Sequence, residues 1–423
     1  MSLLLSLDLR DRDVLVVGGG AVSARRTRDL VAAGARIRLV SPELCPDLAE
    51  LVGTHPITWH PRGWRPSDID GMWLVHTATG VPEVDAAVAA ACEANRTWFV
   101  DATDRTRSAA AVPARVTTTT PDGTVTVGVH TGGDPRRARH IATALSDQLE
   151  QGAVDLRRHR PREGAGWVAL VGGGPGDDGL LTARARVLLR SADVVVIDRL
   201  APRNIVATLP ADVEVIDVGK SPGRHPVPQS RINEILVAHA SAGRGVVRLK
   251  GGDPYVLGRG GEERLACEAA GVPVEVVPGI SSAIAVPAAA GIPVTHRGVA
   301  TGFTVVTGHT DLPQVPGGGD HTLVVLMGVS TLPRTVQLLL ERGVRPDTPV
   351  GVVENGCTPQ QRVVVGELTE LVDLCHRAEI GSPAVVVIGD VVRLAPAWGE
   401  ARRTPELLSG SDPSAVVVGL VAS

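Results

Sequence analysis

Aromatic side chains are scarce. Six Trp, two Phe and one Tyr make up 2% of the 423 residues, which leaves few platforms on which nucleic-acid bases could stack. A basic excess is missing as well: 42 Lys and Arg stand against 46 Asp and Glu, a formal net charge of −4. No global field therefore draws in a polyanion, and an anionic ligand needs a local basic pocket. No apolar run reaches the roughly 20 residues of a membrane helix, and the opening MSLLLSLDLRDRD lacks the basic region and long apolar stretch of a secretion signal. The five cysteines (Cys45, Cys92, Cys267, Cys357, Cys375) are scattered without a CxxC. That spacing argues against a zinc cage or disulfide framework and for a reducing cytoplasm.

What is present is ordinary for a folded chain: 43% hydrophobic and 21% charged residues, in a length that calls for two to three domains. The period reads as strand, glycine turn, helix, strand from the start. Val14 to Val17 is a short β-branched run of the kind a parallel sheet buries on both faces. Gly18-Gly19-Gly20 follows, then a helical stretch from Ala21 to Ala33 stopped by Gly34, and a strand at Ile37–Val40. Further strands are expected at Met72–His76, Trp98–Val100 and Thr124–Val129, with an Ala-rich helix at Val84–Asn95. Between Asp155 and Gly166 the pattern collapses into charge, Pro and Gly, which reads either as a solvated linker or as a basic strip beside an anionic ligand. A second α/β series starts at Trp167–Val171, with strands expected at Val194–Ile197, Val213–Val218, Val246–Leu249, Val274–Val277, Thr304–Thr307, Leu323–Met327, Val350–Val353 and Ala384–Ile388. Helices between most of them point to mainly parallel sheet.

Two glycine turns carry different chemistry. Gly18-Gly19-Gly20, after a buried strand and opening a helix, matches the GxG of a dinucleotide fingerprint, in which absent side chains let a pyrophosphate reach backbone N–H groups. Ser23 and Ala24 stand where the third glycine belongs, and Glu43 follows the second strand. A glycine turn without a ligand is the plainer alternative. Val171-Gly172-Gly173-Gly174-Pro175-Gly176-Asp177 imitates the motif, but Pro175 removes a phosphate-binding N–H, and Asp177 and Asp178 would repel an anion and suit helix caps better. The segment Arg248 to Glu263 holds five glycines with Asp253 and Arg259, dense enough to expose backbone to a folded ligand.

Together Val171–Asp177, Asp198-Arg199-Leu200, Val218-Gly219-Lys220, Val247–Glu263, Val277–Ser281, Gly291–Arg297, Val306–His309, Met327-Gly328 and Val353–Gly356 resemble the uroporphyrinogen-III C-methyltransferases, and the whole chain resembles the sirohaem synthases. The resemblance implies an N-terminal Rossmann-like NAD-binding domain followed by a two-lobed, non-Rossmann (class III) tetrapyrrole methyltransferase fold. Residues 1–155 would form the first domain, 156–166 a linker, 167–400 the methyltransferase with lobes at about 167–297 and 298–400, and 401–423 a tail. It implies S-adenosylmethionine contacts at Pro175, Gly251, Gly252, Asp253, Val256, Ser281, Ser282, Met327 and Gly356, with Asp198 as proton acceptor and Lys220 as proton donor. The implied substrate bears eight carboxylates, which assigns Arg199, Arg259, His296 and Arg297, with Arg224 and His225 beside them, to substrate binding as a group. Ser281-Ser282 replaces the family's Thr-Ala, and Cys357 replaces a Thr.

The first domain resembles precorrin-2 dehydrogenases, which implies NAD contacts at Gly18, Gly20, Ala21, Val22, Pro42 and Glu43, and a catalytic aspartate at Asp104 or Asp101, with Asp104 preferred over Asp101. Both aspartates also suit loop capping. Gly132-Gly133-Asp134-Pro135 lacks the family's serine, and only Arg136–Gln151 reads as helix before the second domain, which bears on dehydrogenation and most of all on iron insertion. No His, Cys, Asp and Glu cluster has dedicated metal spacing. The expectation is a cytoplasmic homodimeric enzyme that converts uroporphyrinogen III to precorrin-2 with S-adenosylmethionine, then to sirohydrochlorin with NAD. The alternatives are methylation alone over a scaffold domain, and a tetrapyrrole carrier without turnover.

Overall fold

The computed structural model describes residues 3–160, 163–219, 227–309 and 320–403, and the chain divides into two compact units, residues 1–118 with 125–146 and residues 119–124 with 147–423. In the first unit β1 (Asp13–Val17), α1 (Ala21–Ala32), β2 (Arg36–Val40), α2 (Pro46–Thr54), β3 (Ile57–His60), β4 (Leu74–Thr77), α3 (Pro82–Ala94) and β5 (Trp98–Asp101) follow one another. The five strands form one parallel sheet ordered β3-β2-β1-β4-β5. Alternation along β1 sorts its side chains onto two cores. Val14 and Val16 pack with Ala24, Leu30, Leu48 and Leu51 of α1 and α2, whereas Leu15 and Val17 pack with Val88 and Cys92 of α3. A two-stranded sheet of β6 (Ala114–Thr120) and β7 (Gly123–Val129), then α4 (Pro135–Glu150), come next. Asp134 starts α4 by accepting the amides of Arg136 and Arg137 (3.1 and 2.9 Å), so it caps the helix where the family's serine is missing.

One buried group couples this unit to pH. His76 on β4 is 5% exposed, and burial first, then nearby Arg26, push its pKa down from 6.5 to about 4. The unfolded chain therefore binds a proton that the folded chain refuses. Stability is complete above about pH 6.5 and falls by about 3 kcal/mol as the pH drops towards 4. Denaturant unfolding of the whole protein against His76→Asn should show this extra acid sensitivity in the parent only; parallel pH curves would refute it.

The second unit opens with β8 (Trp167–Gly172), α5 (Ala183–Ser191), β9 (Val194–Ile197), α6 (Arg203–Ala207), β10 (Glu214–Asp217), α7 (Gln229–Ser241), β11 (Gly245–Lys250), α8 (Gly260–Ala269) and β12 (Val274–Val277). Its strands form a parallel sheet, β10-β9-β11-β8-β12, covered by α5 on one face and by α7 and α8 on the other. Ahead of it, Arg157 bridges Asp155 and Asp212 (2.7 and 2.8 Å), and the amide of Leu156 donates to the carbonyl of Arg190 (2.9 Å), so the seam between the two α/β series starts as a docked segment.

After α9 (Ser282–Ala289) a second lobe follows: β13 (Gly302–Thr307), β14 (His321–Leu326), α10 (Leu332–Glu341), β15 (Pro349–Glu354), β16 (Arg362–Glu367), α11 (Leu371–Arg377), β17 (Ala384–Ile388) and α12 (Pro396–Arg403). Its sheet, β13-β14-β17-β15-β16, corrects the expectation of mainly parallel pairing. Only β13 and β14 run parallel, while β14–β17, β17–β15 and β15–β16 are antiparallel. The reason is that helices cover both faces, so these strands are as uniformly apolar as parallel ones. Ala283 and Val286 of α9 pack against Val324, Val353 and Val385, which fastens the two lobes together. No described helix is long and apolar enough to cross a membrane.

Candidate active sites

The first site lies where the strand order of the first sheet reverses, between β1 and β4, the place where open α/β sheets bind ligands. Its three glycines are there for different reasons. Gly18 has φ +118° and lies against the Ala78 backbone, and a Cβ on Gly19 would run into the carbonyl of Glu43. Gly20 has neither reason: its φ is −86°, and a Cβ there would meet nothing within 4 Å. Gly20 is the N-cap of α1, which has no side-chain cap and no acidic residue in its first turn. The helix therefore presents free amides and positive dipole to open space, flanked by exposed Ala21, Val22, Pro42 and Glu43. This fits a dinucleotide pyrophosphate.

At the adjoining strand ends the two candidate aspartates differ. Asp101 closes β5 with a fully buried side chain; its Oδ1 accepts from Thr103 Oγ1 (2.6 Å) and the amides of Thr103 and Asp104 (2.7 and 2.9 Å), and Arg107 Nε lies 3.1 Å from Oδ2. Burial pushes its carboxyl up, but these donors and Arg107 outweigh burial and hold it below the ordinary value. Asp104 is 40% exposed, caps a short turn by accepting from Thr106, and lies 3.3 Å from Arg107. Sequence reasoning missed Asp85, fully buried on α3, which accepts from the hydroxyls of Thr77 and Thr79 and joins the β4 loop to α3.

The second site gathers at one edge of the β8–β12 sheet, because parallel strands deliver their following loops to the same side. Gly174 and Gly252 exchange backbone hydrogen bonds (3.1 and 2.7 Å), and both have positive φ. A Cβ on Gly279 would strike the carbonyl of Gly252, so three loops meet backbone to backbone with no room for side chains. Asp253 ties them: Oδ1 accepts from Tyr255 N (2.8 Å) and Oδ2 from Gly279 N (3.1 Å). Ser281 caps α9 through the amide of Ala283 (3.3 Å), with Ser282 beside Gly252. The second lobe adds Met327, which is 41% exposed, and the Asn355-Gly356-Cys357 turn; Met327, Asn355 and Cys357 hold left-handed φ of 56°, 49° and 61°. Such strain gathers at ligand sites. A Cβ on Gly176 would approach the Thr358 methyl to 3.3 Å, so the β8 turn abuts this second-lobe turn. Pro175 lies in that turn, which Asp177 closes by capping the Gly179 amide (2.7 Å). The glycine-lined crevice suits a compact, folded cofactor better than an extended pyrophosphate.

Asp198 follows β9 at this edge, its side chain 29% exposed and accepting from Leu200 N (3.1 Å). Behind it lies a buried ionic cluster that sequence reasoning also missed. Arg248 and Lys250, on the same face of β11, both reach Glu263 of α8 (3.0 and 3.2 Å), and Arg248 Nη2 lies 3.5 Å from Asp198 Oδ2. Two cations inside a strand that reads Gly-Val-Val-Arg-Leu-Lys were the available signal, since buried charges require partners.

The other polar candidates are less tightly organised. Arg259, the N-cap of α8 with φ 60°, forks onto Glu262 (2.9 and 2.7 Å). Arg199 and Arg297 are exposed, with no carboxylate within 4 Å among the described residues. His296 is exposed in a tight turn whose backbone pairs it with Ala300. Val256 lies half-buried in the β11–α8 loop. Lys220, with Arg224 and His225, lies outside the described residues. Among the described residues no group of three or more His, Cys, Asp and Glu could hold a metal ion.

Residues 168–372 match the tetrapyrrole (corrin/porphyrin) methylase family, and residues 5–114 match a putative NAD(P)-binding family. A siroheme synthase of Tolumonas auensis is 35% identical over an alignment covering 92% of this chain and 94% of that protein. An S-adenosyl-L-methionine-dependent uroporphyrinogen III methyltransferase of Methanosarcina barkeri is 49% identical over 56% of this chain and 96% of its own length. A solved uroporphyrin-III C-methyltransferase from Thermus thermophilus is 42% identical, covers 56% of this chain and 96% of its own, and superposes with a TM-score of 0.48.

Proposed function

The chain belongs to the siroheme synthase family, and we propose that its two sites act in sequence on one tetrapyrrole. The second unit methylates uroporphyrinogen III at two pyrrole carbons, giving precorrin-2, and the first unit oxidises that product to sirohydrochlorin. S-adenosylmethionine supplies an electrophilic methyl group on sulfonium, and NAD supplies a hydride acceptor. The observation that carries the reading is a partly exposed carboxylate, Asp198, on the same sheet edge as the glycine crevice of the loops after β8, β11 and β12.

The protein's own work follows from that geometry. Gly251, Gly252, Asp253, Val256, Ser281 and Ser282 from the first lobe, with Pro175, line a crevice that Met327 and Gly356 border from the second, holding the methyl donor away from water. Gly356 has a further duty: a Cβ there would run into Val286 of α9. Methylation leaves positive charge on the macrocycle, and Asp198 stabilises that charge and then takes the ring proton. Lys220 is the proposed proton donor. In the first unit Gly18, Gly20, Ala21 and Val22, with Pro42 and Glu43, hold NAD, and Asp104, the more accessible of the two aspartates, takes the proton that accompanies hydride loss. Domain limits at residues 1–155, 156–166, 167–400 and 401–423 are part of this reading, as are a homodimer and a cytoplasmic location.

The test adds uroporphyrinogen III and S-adenosylmethionine, then NAD, then ferrous iron, to the whole protein, with absorbance followed at each step. Product after the first addition but none after the second would leave the first unit a scaffold; no change at any step would leave a carrier. Arg199, Arg259, His296 and Arg297 are assigned to the substrate carboxylates. Arg297, exposed and without an acidic partner among the described residues, is the cleanest probe: Arg297→Glu should raise KM for uroporphyrinogen III about tenfold or more with cofactor affinity unchanged. Unchanged kinetics would remove it from the substrate surface.

A further inference from the structure

The ionic cluster behind Asp198 is more than the fold requires. Val246, Arg248 and Lys250 share one face of β11, and only the two positions nearest the crevice are charged. Arg248 is 3% exposed, Lys250 4% and Glu263 0%. Glu263 Oε1 receives Gln229 Nε2 (3.2 Å), Arg248 Nε (3.0 Å) and Lys250 Nζ (3.2 Å). Burial of this kind is unfavourable unless charges balance, and a well-packed apolar set would stabilise the fold as well or better. Two cations against one carboxylate leave an excess positive charge. Burial first, then Arg248, lower the Lys250 pKa, while Glu263 and Asp198 oppose that shift. The charge is balanced only when Asp198, which belongs to the site and not to the core, is counted as the fourth member.

Arg248 divides its fork accordingly. Its Nε is held by Glu263, its Nη1 donates to the carbonyl of Val196 (3.3 Å), and its Nη2 faces Asp198 Oδ2 at 3.5 Å. A guanidinium fixed by its neighbours on two sides has one direction left, and that direction is the crevice. Resting on the assignment of Asp198 as proton acceptor, we propose that Arg248, braced by Glu263, is a positioning residue that keeps the Asp198 carboxylate aimed at the substrate ring. Lys250 supplies the second positive charge that makes the brace require an outward anion.

Arg248→Lys tests this in the full-length protein. Lysine can still pair with Glu263, but its single nitrogen cannot serve Glu263 and Asp198 together, so the fold is kept and the positioning lost. The expected result is a fall in kcat for methyl transfer of about 10- to 100-fold, with KM for uroporphyrinogen III, S-adenosylhomocysteine affinity by calorimetry and Tm close to those of the parent. In an Asp198→Asn background the same substitution should cost almost nothing further. A rate restored by lysine, or a loss that multiplies with that of Asp198→Asn, would mean a purely structural Arg248 and overturn the proposal. Asp198→Asn that turns over at the parent's rate would instead overturn the assignment beneath it. Arg248→Gln repeats the cycle without the buried cation, and the same non-additivity is expected of it.

Discussion

Asp198→Asn should lower kcat for methylation of uroporphyrinogen III by about 10²- to 10⁴-fold, the usual contribution of a positioned acid or base. Asparagine has the size of aspartate, and its carbonyl oxygen can still accept from Leu200 N as Oδ1 does at 3.1 Å. The loop therefore keeps its shape, and S-adenosylhomocysteine should bind the variant as it binds the parent. What the amide cannot do is take a proton or oppose positive charge on a methylated ring. The loss should accordingly lie in kcat and leave KM largely alone, the pattern of an interaction that matters in the transition state. Single-turnover kinetics with calorimetry on the same preparation separate the two quantities. Parent-like turnover would remove Asp198 from the chemistry, and loss of cofactor affinity would make it a structural residue.

Both glycine turns can be read in sequence because each is punctuated by its neighbours. Val14–Val17 before Gly18 and Trp167–Val171 before Gly172 are uninterrupted apolar strands, and Pro175, with Asp177 and Asp178 after it, sets the second turn apart from an anion-binding one. The pairing direction of the second lobe could not be read, since Val350–Val353 and Ala384–Ile388 have the same all-apolar character in either orientation. The β15–β16 hairpin was hidden for a related reason: Asn355-Gly356-Cys357 is at once its turn and a wall of the crevice. The charged cluster was half visible. Arg248 and Lys250 interrupt a strand, but Glu263 lies 13 residues beyond Lys250 on another element, and one sequence without its fold gives no partner for them. Asp85 shows the same limit, because an acid in the first turn of an Ala-rich helix reads as a dipole partner, whereas packing makes it a fully buried hydroxyl acceptor.

Gly20→Asp should separate ligand binding from folding in the first unit. At Gly18 and Gly19 a side chain would collide with backbone, so loss of binding there would say nothing about a ligand. Gly20 is different: its backbone is extended, a Cβ meets nothing within 4 Å, and it occupies the N-cap of α1 where no side chain yet accepts the free amides. Aspartate is a preferred N-cap, so the substitution should leave folding intact or stabilise it by a few tenths of a kcal/mol. The same carboxylate would take up the amides and helix dipole intended for a pyrophosphate and add like charge within a few ångströms of it. At an effective dielectric constant near 20 that repulsion is about 4 kcal/mol at 4 Å, so NAD affinity should fall by on the order of 10²-fold or more. Methylation, located in the other unit, should be unaffected. Isothermal titration of NAD into parent and variant, beside a denaturant curve for each, decides the matter. A variant that binds NAD as the parent does would show that the open N-terminus of α1 is not where the dinucleotide lies. A parent that binds none would make the first unit a scaffold, with oxidation of precorrin-2 left to another protein.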